Sequence, residues 1–462
     1  MTKKRSTKIE WGMIGAIFLL AWPTMLEELM HTAVQYIDTA MVGSLGTQAT
    51  AAVGSTTTVN WLVNSSVSAL GVGFLSFIAR SLGAGKKKLA RRASAQAVLA
   101  VLVVGVVFTA LTLLLSSFVP VWMQVDKDIQ SLAARYFFIL YSPMLFRAAS
   151  IIFGTVLRAA GDTKKPMLVG ALVNIINVIL NLLLIYPIRQ ISVFNYTFTV
   201  WGADLGVEGA AIASAVAFAI GGILMTIALF RHNEISPKGY SVKPDKEILK
   251  PCLRVALPNM LQRFATSFGY VAFASMINSL GDISTAAHTI ANTVESAFYI
   301  PGYGMQTAAA TMAGNALGAK DNKRLYSLAR MIMFIEVVLM IISGGLLFAF
   351  APSMMSIFSK DNQVIVLGAI VLRMVAVSEP LYGVSIVIEG MLQGLGKTLT
   401  PFVFNIIGMW GVRIVGTFVC TQIFDEGLVS AWGCMILHNL LLFTMFLVHW
   451  RRGKWNPLAE EK

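Results

Sequence analysis

Pro23, Met25, Leu26, Ser44-Leu45-Gly46, Ala51-Ala52 and Leu82-Gly83-Ala84 return as Pro258, Met260, Leu261, Ser279-Leu280-Gly281, Ala286-Ala287 and Leu317-Gly318-Ala319. Residues 23–85 thus align without a gap on residues 258–320, at a constant offset of 235. The register holds further on, where Leu157, Gly161, Thr163 and Pro166 match Leu392, Gly396, Thr398 and Pro401. Chance identity in apolar sequence does not settle on glycines and prolines, whose backbone demands are specific. A period this long is not a solenoid repeat, which runs to tens of residues. It is a duplicated half-protein, and in membranes such duplications build transporters with the site between the halves.

Composition puts the chain in a bilayer. It is 56% hydrophobic and 13% charged, with mean hydropathy +0.72, whereas about a quarter of a soluble chain is charged. A spanning helix needs ~20 mostly apolar residues. Twelve segments meet that description: 12–34, 50–78, 93–116, 135–157, 167–187, 209–230, 250–277, 285–313, 328–350, 363–390, 401–421 and 428–449. Six fall in each half. The fold expected is therefore an all-α integral membrane protein with twelve transmembrane helices in two six-helix repeat lobes around a central cleft. Residues 1–230 form the first lobe, 231–250 a Lys- and Pro-rich cytoplasmic linker, and 251–462 the second lobe with its tail.

The net charge of +13 does not indicate nucleic acid, because the basic residues sit in short loops and follow the positive-inside rule. With a cytoplasmic amino terminus, the inner segments hold Lys3, Lys4, Arg5 and Lys8, then Lys86, Lys87, Lys88, Arg91 and Arg92, and further clusters to Lys462. These make 27 of the 36 Lys and Arg, against Lys127, Arg135, Arg189 and Lys360 outside. Both termini are then cytoplasmic in a multi-pass protein of the cell membrane. The even count of spans agrees with that placement. The first apolar run lacks a small-residue cleavage pattern and belongs to the repeat, so it reads as a retained span. Cys252, Cys420 and Cys434 are scattered in apolar sequence and imply no disulfide or metal framework.

An intramembrane charge is costly and is a functional hypothesis by default. Glu336, Arg373 and Arg413 also have a plain reading as interfacial or interhelical pairs. Asp38 differs, because its mate in the second copy is Phe273: one half carries a carboxylate where the other carries a ring. A carboxylate there can bind a proton or hold Na⁺ with nearby oxygens, and either makes a coupling site. Asn174, Asn177 and Asn181, at spacings of 3 and 4, line one face of the fifth span and supply uncharged oxygens and donors. Asp38, Asn177 and Asn181 would be the metal ligands if Na⁺ is the ion. The second span carries a polar strip of Thr57, Asn60, Asn64, Ser65 and Ser68.

Glu27, Glu28 and His31 form a tight ionisable set on the first helix, and their mates are Gln262, Arg263 and Thr266. A Glu28–Arg263 pair across the halves would neutralise both charges. In the second half, Glu295 and Glu379 offer carboxylates to a cationic substrate, Glu379 standing just before Pro380. Glu389, near an inner loop, reads as structural. Tyr299, Tyr303, Met305 and Trp61 are candidates for an adaptable wall. Helix bends are expected near Pro23, Pro143, Pro258 and Pro380.

Asp38-Thr39-Ala40-Met41-Val42-Gly43, the Leu82-Gly83-Ala84-Gly85 loop, Leu157-Arg158-Ala159-Ala160-Gly161-Asp162-Thr163, and the asparagine-rich fifth span followed by Gly209-Ala210-Ala211-Ile212-Ala213 resemble the multidrug and toxic compound extrusion (MATE) family of antiporters over nearly the whole chain. The resemblance implies export of organic cations or amphipathic compounds in exchange for H⁺ or Na⁺. It makes Asp38 the first-helix coupling aspartate and places Asn177 and Asn181 in the polar cluster around it. The chain departs from one branch of the family by having Thr266 in the seventh helix and Tyr382 in the tenth, where that branch has acids. Coupling is therefore expected in the first lobe, with H⁺ favoured over Na⁺ and no cofactor. The expected partners are small molecules and the lipid bilayer, the expected state a monomer. A lipid or oligosaccharide flippase is the alternative, with Arg147, Arg263 and Arg413 as its cations. No clustered His and Asp set, nucleophile motif or nucleotide loop supports an enzyme.

Overall fold

The computed structural model describes residues 2–460 except Gln124, Phe194 and Asn195, and gives the backbone alone for residues 2–11, Thr58, 191–193, 196–198 and Glu460. The side chains of Lys3, Lys4, Arg5 and Lys8, and Lys462 as a whole, lie outside it. In chain order the elements of the first repeat are α1 (Thr2–Gly43), α2 (Thr47–Gly54), α3 (Thr57–Gly83), α4 (Lys87–Leu115), α5 (Val119–Trp122), α6 (Lys127–Tyr141), α7 (Met144–Ala159), α8 (Lys164–Leu184), strands β1 (Pro187–Val193) and β2 (Tyr196–Ala203), and α9 (Gly206–Phe230). The second repeat holds α10 (Lys246–Asn278), α11 (Asp282–Phe298), α12 (Ile300–Gly318), α13 (Asn322–Phe358), α14 (Asn362–Gly394) and α15 (Leu399–Ile406). It continues through π-helical turns Ile407–Ile414 and Val419–Ile423 with α16 (Val415–Phe418) between them, then α17 (Leu428–Arg451) and α18 (Pro457–Glu460).

The duplication is written into the backbone. At the offset of 235, α1 and α10 end at Gly43 and Asn278, α3 and α12 at Gly83 and Gly318, and α7 and α14 at Ala159 and Gly394. Likewise α2 and α11 begin at Thr47 and Asp282, α4 and α13 at Lys87 and Asn322, and α8 and α15 at Lys164 and Leu399. Left-handed residues recur in step: Gly46 and Gly281 at φ 110° and 98°, Gly161 and Gly396 at 81° and 76°, and Gly85 with Lys320 at 71° and 55°. The helix-terminating glycines seen in the sequence are there because the chain must reverse through φ values that a side chain resists.

All twelve sequence-expected spans fall on helices. Among the described residues nine helices are long and apolar enough to cross a membrane, or ten if α6 and α7, bent by 50°, count as one. The two segments that fall short are α10 and the broken α11–α12, the mates of α1 and α2–α3. Lys250, Arg254, Asn259, Gln262 and Arg263 dilute the first, and His288, Asn292, Glu295, Gln306 and Asn315 the second. The bend between α6 and α7 lies at Pro143, as expected. Pro23, Pro258 and Pro380 sit inside helices that run on past them.

The chain divides into two compact units, one comprising Met1–Met25, Leu75–Lys87 and Lys250–Lys462 and the other Leu26–Phe74 and Lys88–Leu249. In the first unit, one apolar core gathers Ile17 and Ala21 of α1 with Met305, Ala309, Leu328, Ile332, Val387 and Met391. A second gathers Phe273, Ala291, Leu347, Leu372 and Trp432. The end of α3 belongs to this unit because it packs on its own repeat mate, α12. A Cβ on Gly83 would strike the backbone of Asn315, and one on Gly318 the backbone of Arg80. Arg80 and Asn315 are themselves mates, as are Ala79 and Gly314, which also touch. The two helices therefore cross on a local pseudo-twofold, at backbone contact that only glycine permits. Cys420 and Cys434, 14 residues apart, face each other as free thiols with sulfurs 3.7 Å apart.

In the second unit, two features were not anticipated. The stretch after α8 is an antiparallel hairpin, with Pro187 opposite Ala203 and Arg189 opposite Val200. The presumed linker is fastened to α4. Gln96 donates to the carbonyl of Lys243 (2.8 Å) and accepts from the Asp245 amide (3.0 Å), Arg91 donates to the carbonyl of Asn233 (2.5 Å), and Arg92 pairs with Asp245 at 2.6 Å. Ile235 and Ile248, within this strap, are fully buried.

Candidate functional site

Helices α1 and α8 position Asp38. The Asn181 amide donates to Asp38 Oδ1 at 2.6 Å. Eleven residues earlier on each helix, Gly170 lies against Glu27, where an added Cβ would stand 3.4 Å from Glu27 Cγ. The equal spacing means that the two helices run parallel, as first and fifth spans must. Eleven residues are three turns of helix, about 16 Å, so Glu27 and Asp38 occupy one face of α1 at two depths. Glu27 is held by Arg158 of α7, Oε2 to Nη2 2.6 Å. Beyond Asp38, Ser44 and Tyr186 close the end of the pair through their hydroxyls at 2.8 Å.

Asn177 and Asn181 are both buried one helical turn apart, and the Asn177 side chain lies 3.1 Å from the Ser214 hydroxyl. With its amide oriented to satisfy both atoms, Asn177 donates to Asp38 at 2.9 Å and 3.2 Å and accepts from Ser214. The carboxylate thus faces amide donors from both Asn181 and Asn177. Asn181 Oδ1, only 1% of its residue exposed, has no partner among the described residues. A carboxylate beside an uncommitted amide oxygen suits a proton or a hard cation. Asn174 lies half-buried one turn away.

A second polar group occupies the same unit. Asn60 Oδ1 accepts from Tyr141 (2.9 Å) and from Arg147 Nη2 (2.7 Å), and the buried guanidinium lies 4.4 Å from the Phe218 ring centre. Arg147 Nη1 and Asn64 Oδ1 are buried without partners among the described residues. Glu28 and His31 are exposed.

In the first unit, Tyr299 donates to Glu295 at 2.7 Å and packs edge-on against Tyr382. Glu379 is fully buried within electrostatic reach of Glu295 and Glu336. The sequence alone gives Glu336 a plain reading as an interfacial or paired charge. It is fully buried, its Oε1 fitting where Gly302 and Gly383 carry no side chain, and neither of its oxygens nor those of Glu379 has a hydrogen-bond partner among the described residues. No spacing in the sequence joins Glu336 to those glycines, which lie on α12 and α14. Glu389 is saturated by amide donors from Gln262 (2.9 Å), Gln393 (3.2 Å) and Asn405 (3.2 Å). Arg263 donates to Asn259 at 3.0 Å. Among the described residues no three His, Cys, Asp or Glu converge as a metal cage.

The MatE family model matches residues 23–183 and again residues 258–419, more than half of the chain and in the two places the repeat dictates. The chain belongs to the MatE family. MatE proteins are transporters, and this is a multi-pass membrane transporter rather than an enzyme. It is 28% identical over 440 residues to the probable multidrug resistance protein NorM of Thermotoga maritima, covering 95% of this chain and 92% of that one. It superposes on a MOP superfamily transporter from Pyrococcus furiosus at TM-score 0.87, with 24% identity and 96% of each chain covered. The outward-facing conformation of a multidrug resistance MATE family transporter gives TM-score 0.87 at 23% identity, again over 96% of each chain. These structural likenesses carry the two-repeat helical fold.

Proposed function

We propose that this MatE protein is a secondary active multidrug efflux transporter, exporting organic cations or amphipathic compounds in exchange for H⁺ or Na⁺ by alternating access. The observation that carries the coupling role is Asp38, held by one amide at 2.6 Å beside the orphaned oxygen of Asn181. The naming of the Thermotoga maritima relative supports the cargo class. An ion at Asp38 drives transport only by binding two conformations unequally. Asn181 and Asn177 supply the oxygens and donors that change with its arrival, H⁺ being favoured because only one charged ligand is present. The charge distribution supports both termini in the cytoplasm of a multi-pass protein of the cell membrane, and the unit of function proposed is the monomer. A second reading, a lipid or oligosaccharide flippase, draws on Arg147, a buried cation that donates to the amide oxygen of Asn60.

The test is dye efflux from proteoliposomes under separately imposed proton and sodium gradients. The proposal expects efflux driven by the proton gradient and lost in Asp38→Asn. Equal efflux by the variant would remove Asp38 from coupling, and indifference to both gradients would favour the flippase.

A further inference from the structure

A cavity of about 410 Å³ in the first unit is lined by Arg80 at the end of α3, Lys250, Pro251, Arg254 and Val255 at the start of α10, and Gly396 after α14. Three of these six residues are cations, and among the described residues no acid lines the space. Arg80 is built into place. Its Nε donates to the Ser76 carbonyl at 3.0 Å, and its guanidinium lies against Gly396, where an added Cβ would sit 3.3 Å from both terminal nitrogens. Those two nitrogens make no hydrogen bond among the described residues and leave a forked set of donors facing the cavity. Lys250 and Arg254, four residues apart, share one face of α10. In the first repeat the corresponding positions are Gly15 and Leu19, and Asn315 is the mate of Arg80, so the set occurs once in the duplicated frame.

We infer that this cavity binds the phosphate group of an anionic phospholipid. A guanidinium fork with two further cations matches a phosphate's oxygens in geometry and charge. Two features separate a lipid from a free phosphate. The loops around the cavity are those the charge distribution assigns to the cytoplasm, where anionic headgroups lie within reach of basic pockets between helices. On the adjoining face of α10, Leu253, Leu257 and Leu261 form an exposed apolar stripe at four-residue spacing, laid out for acyl chains below a headgroup. The inference is independent of what Asp38 does.

The experiment is native mass spectrometry of the full chain in detergent, with equimolar phosphatidylglycerol and phosphatidylcholine of matched acyl length, then with inorganic phosphate alone. The wild type retains phosphatidylglycerol in preference to phosphatidylcholine. Arg254→Gln weakens that retention about five-fold, and Arg80→Gln with Arg254→Gln about twenty-five-fold, from the usual worth of a cation near an anionic surface. Arg80→Lys, which keeps charge and helix packing, stays within about two-fold, so a folding defect in Arg80→Gln is recognisable. Arg91→Gln with Lys238→Gln, at the other basic cavity, changes nothing. Equal retention of both lipids, or undiminished retention in the double variant, overturns the site. Phosphate binding that falls in the variants without any lipid preference overturns the lipid as its source.

Discussion

Breaking the Glu27–Arg158 pair tests how the first helix is held. The two side chains meet at 2.6 Å and are 21% and 18% exposed, so each charge depends on the other for most of its compensation. Removing one partner of a buried pair costs ~3–5 kcal/mol, and the remaining exposure brings this to about 2–3 kcal/mol. Arg158→Gln bears the full cost. Glu27→Gln is milder, at roughly 1–2 kcal/mol, because Glu28 also acts electrostatically on Arg158 and stays behind as a counter-charge. Glu27→Gln with Arg158→Gln leaves no orphaned charge from the pair and lies within about 1 kcal/mol of the wild type, since amide pairs approach neutrality when both charges go. Unfolding free energies in mixed micelles, followed by tryptophan fluorescence from Trp61, Trp122 and Trp201 of the same unit, measure the cycle. Singles that sum to the double, or singles within ~0.5 kcal/mol of the wild type, refute the view that this pair clamps α1 to α7.

Three further outcomes follow. Gly83→Ala and Gly318→Ala each push a methyl into backbone that cannot rotate away, so each costs about 1–3 kcal/mol; the pseudo-twofold makes the two losses similar, and thermal unfolding reads both. Asn181→Ala removes a hydrogen bond to a charged group worth ~1.5–3 kcal/mol, so gradient-driven efflux in proteoliposomes falls by at least about ten-fold. The third concerns His232, whose Nδ1 accepts the Glu234 amide at 3.2 Å. Its pKa lies below the ordinary value, chiefly through burial and then the charge of Lys165, against the opposing pull of Asp162 and Glu234. The unfolded strap binds the proton more readily than the folded one, so its stability is full above about pH 6.5 and declines as pH falls below that. A nitroxide at Lys238→Cys, in a background without Cys252, Cys420 and Cys434, becomes more mobile from pH 7.5 to 5.5; unchanged spectra, or the same change in His232→Asn, speak against it.

Glycines and prolines are legible in sequence because their backbone roles are local, and the turns at Gly46, Gly161, Gly281 and Gly396 could be placed from identities alone. Asp38, Asn177 and Asn181 were also legible, since helical periodicity aligns a polar face and a repeat mate exposes the odd carboxylate. What could not be read depends on contacts between distant segments. Asn60 was a member of a polar strip until Tyr141 and Arg147 converged on it, and Glu336 acquired its pocket from glycines on two other helices. The strap on α4 reads as a linker because Lys and Pro signal solvent, whereas its anchoring relies on Gln96, a residue with no distinctive pattern of its own. The hairpin at residues 187–203 is short and ambiguous beside long apolar helices, which dominate any reading by periodicity.

Phe273, the mate of Asp38, is fully buried beneath the guanidinium of Arg413, 4.2 Å from its ring centre. The two repeats share a chain trace yet present opposite electrical polarity at the same address. An acid placed there, as in Phe273→Asp, would be captured by a resident cation and would gain nothing from a passing ion. Restoring the symmetry of the sequence would therefore not reproduce the surroundings of Asp38. The duplication supplied one frame twice, and at this address an arginine is among the differences that keep the copies from being interchangeable.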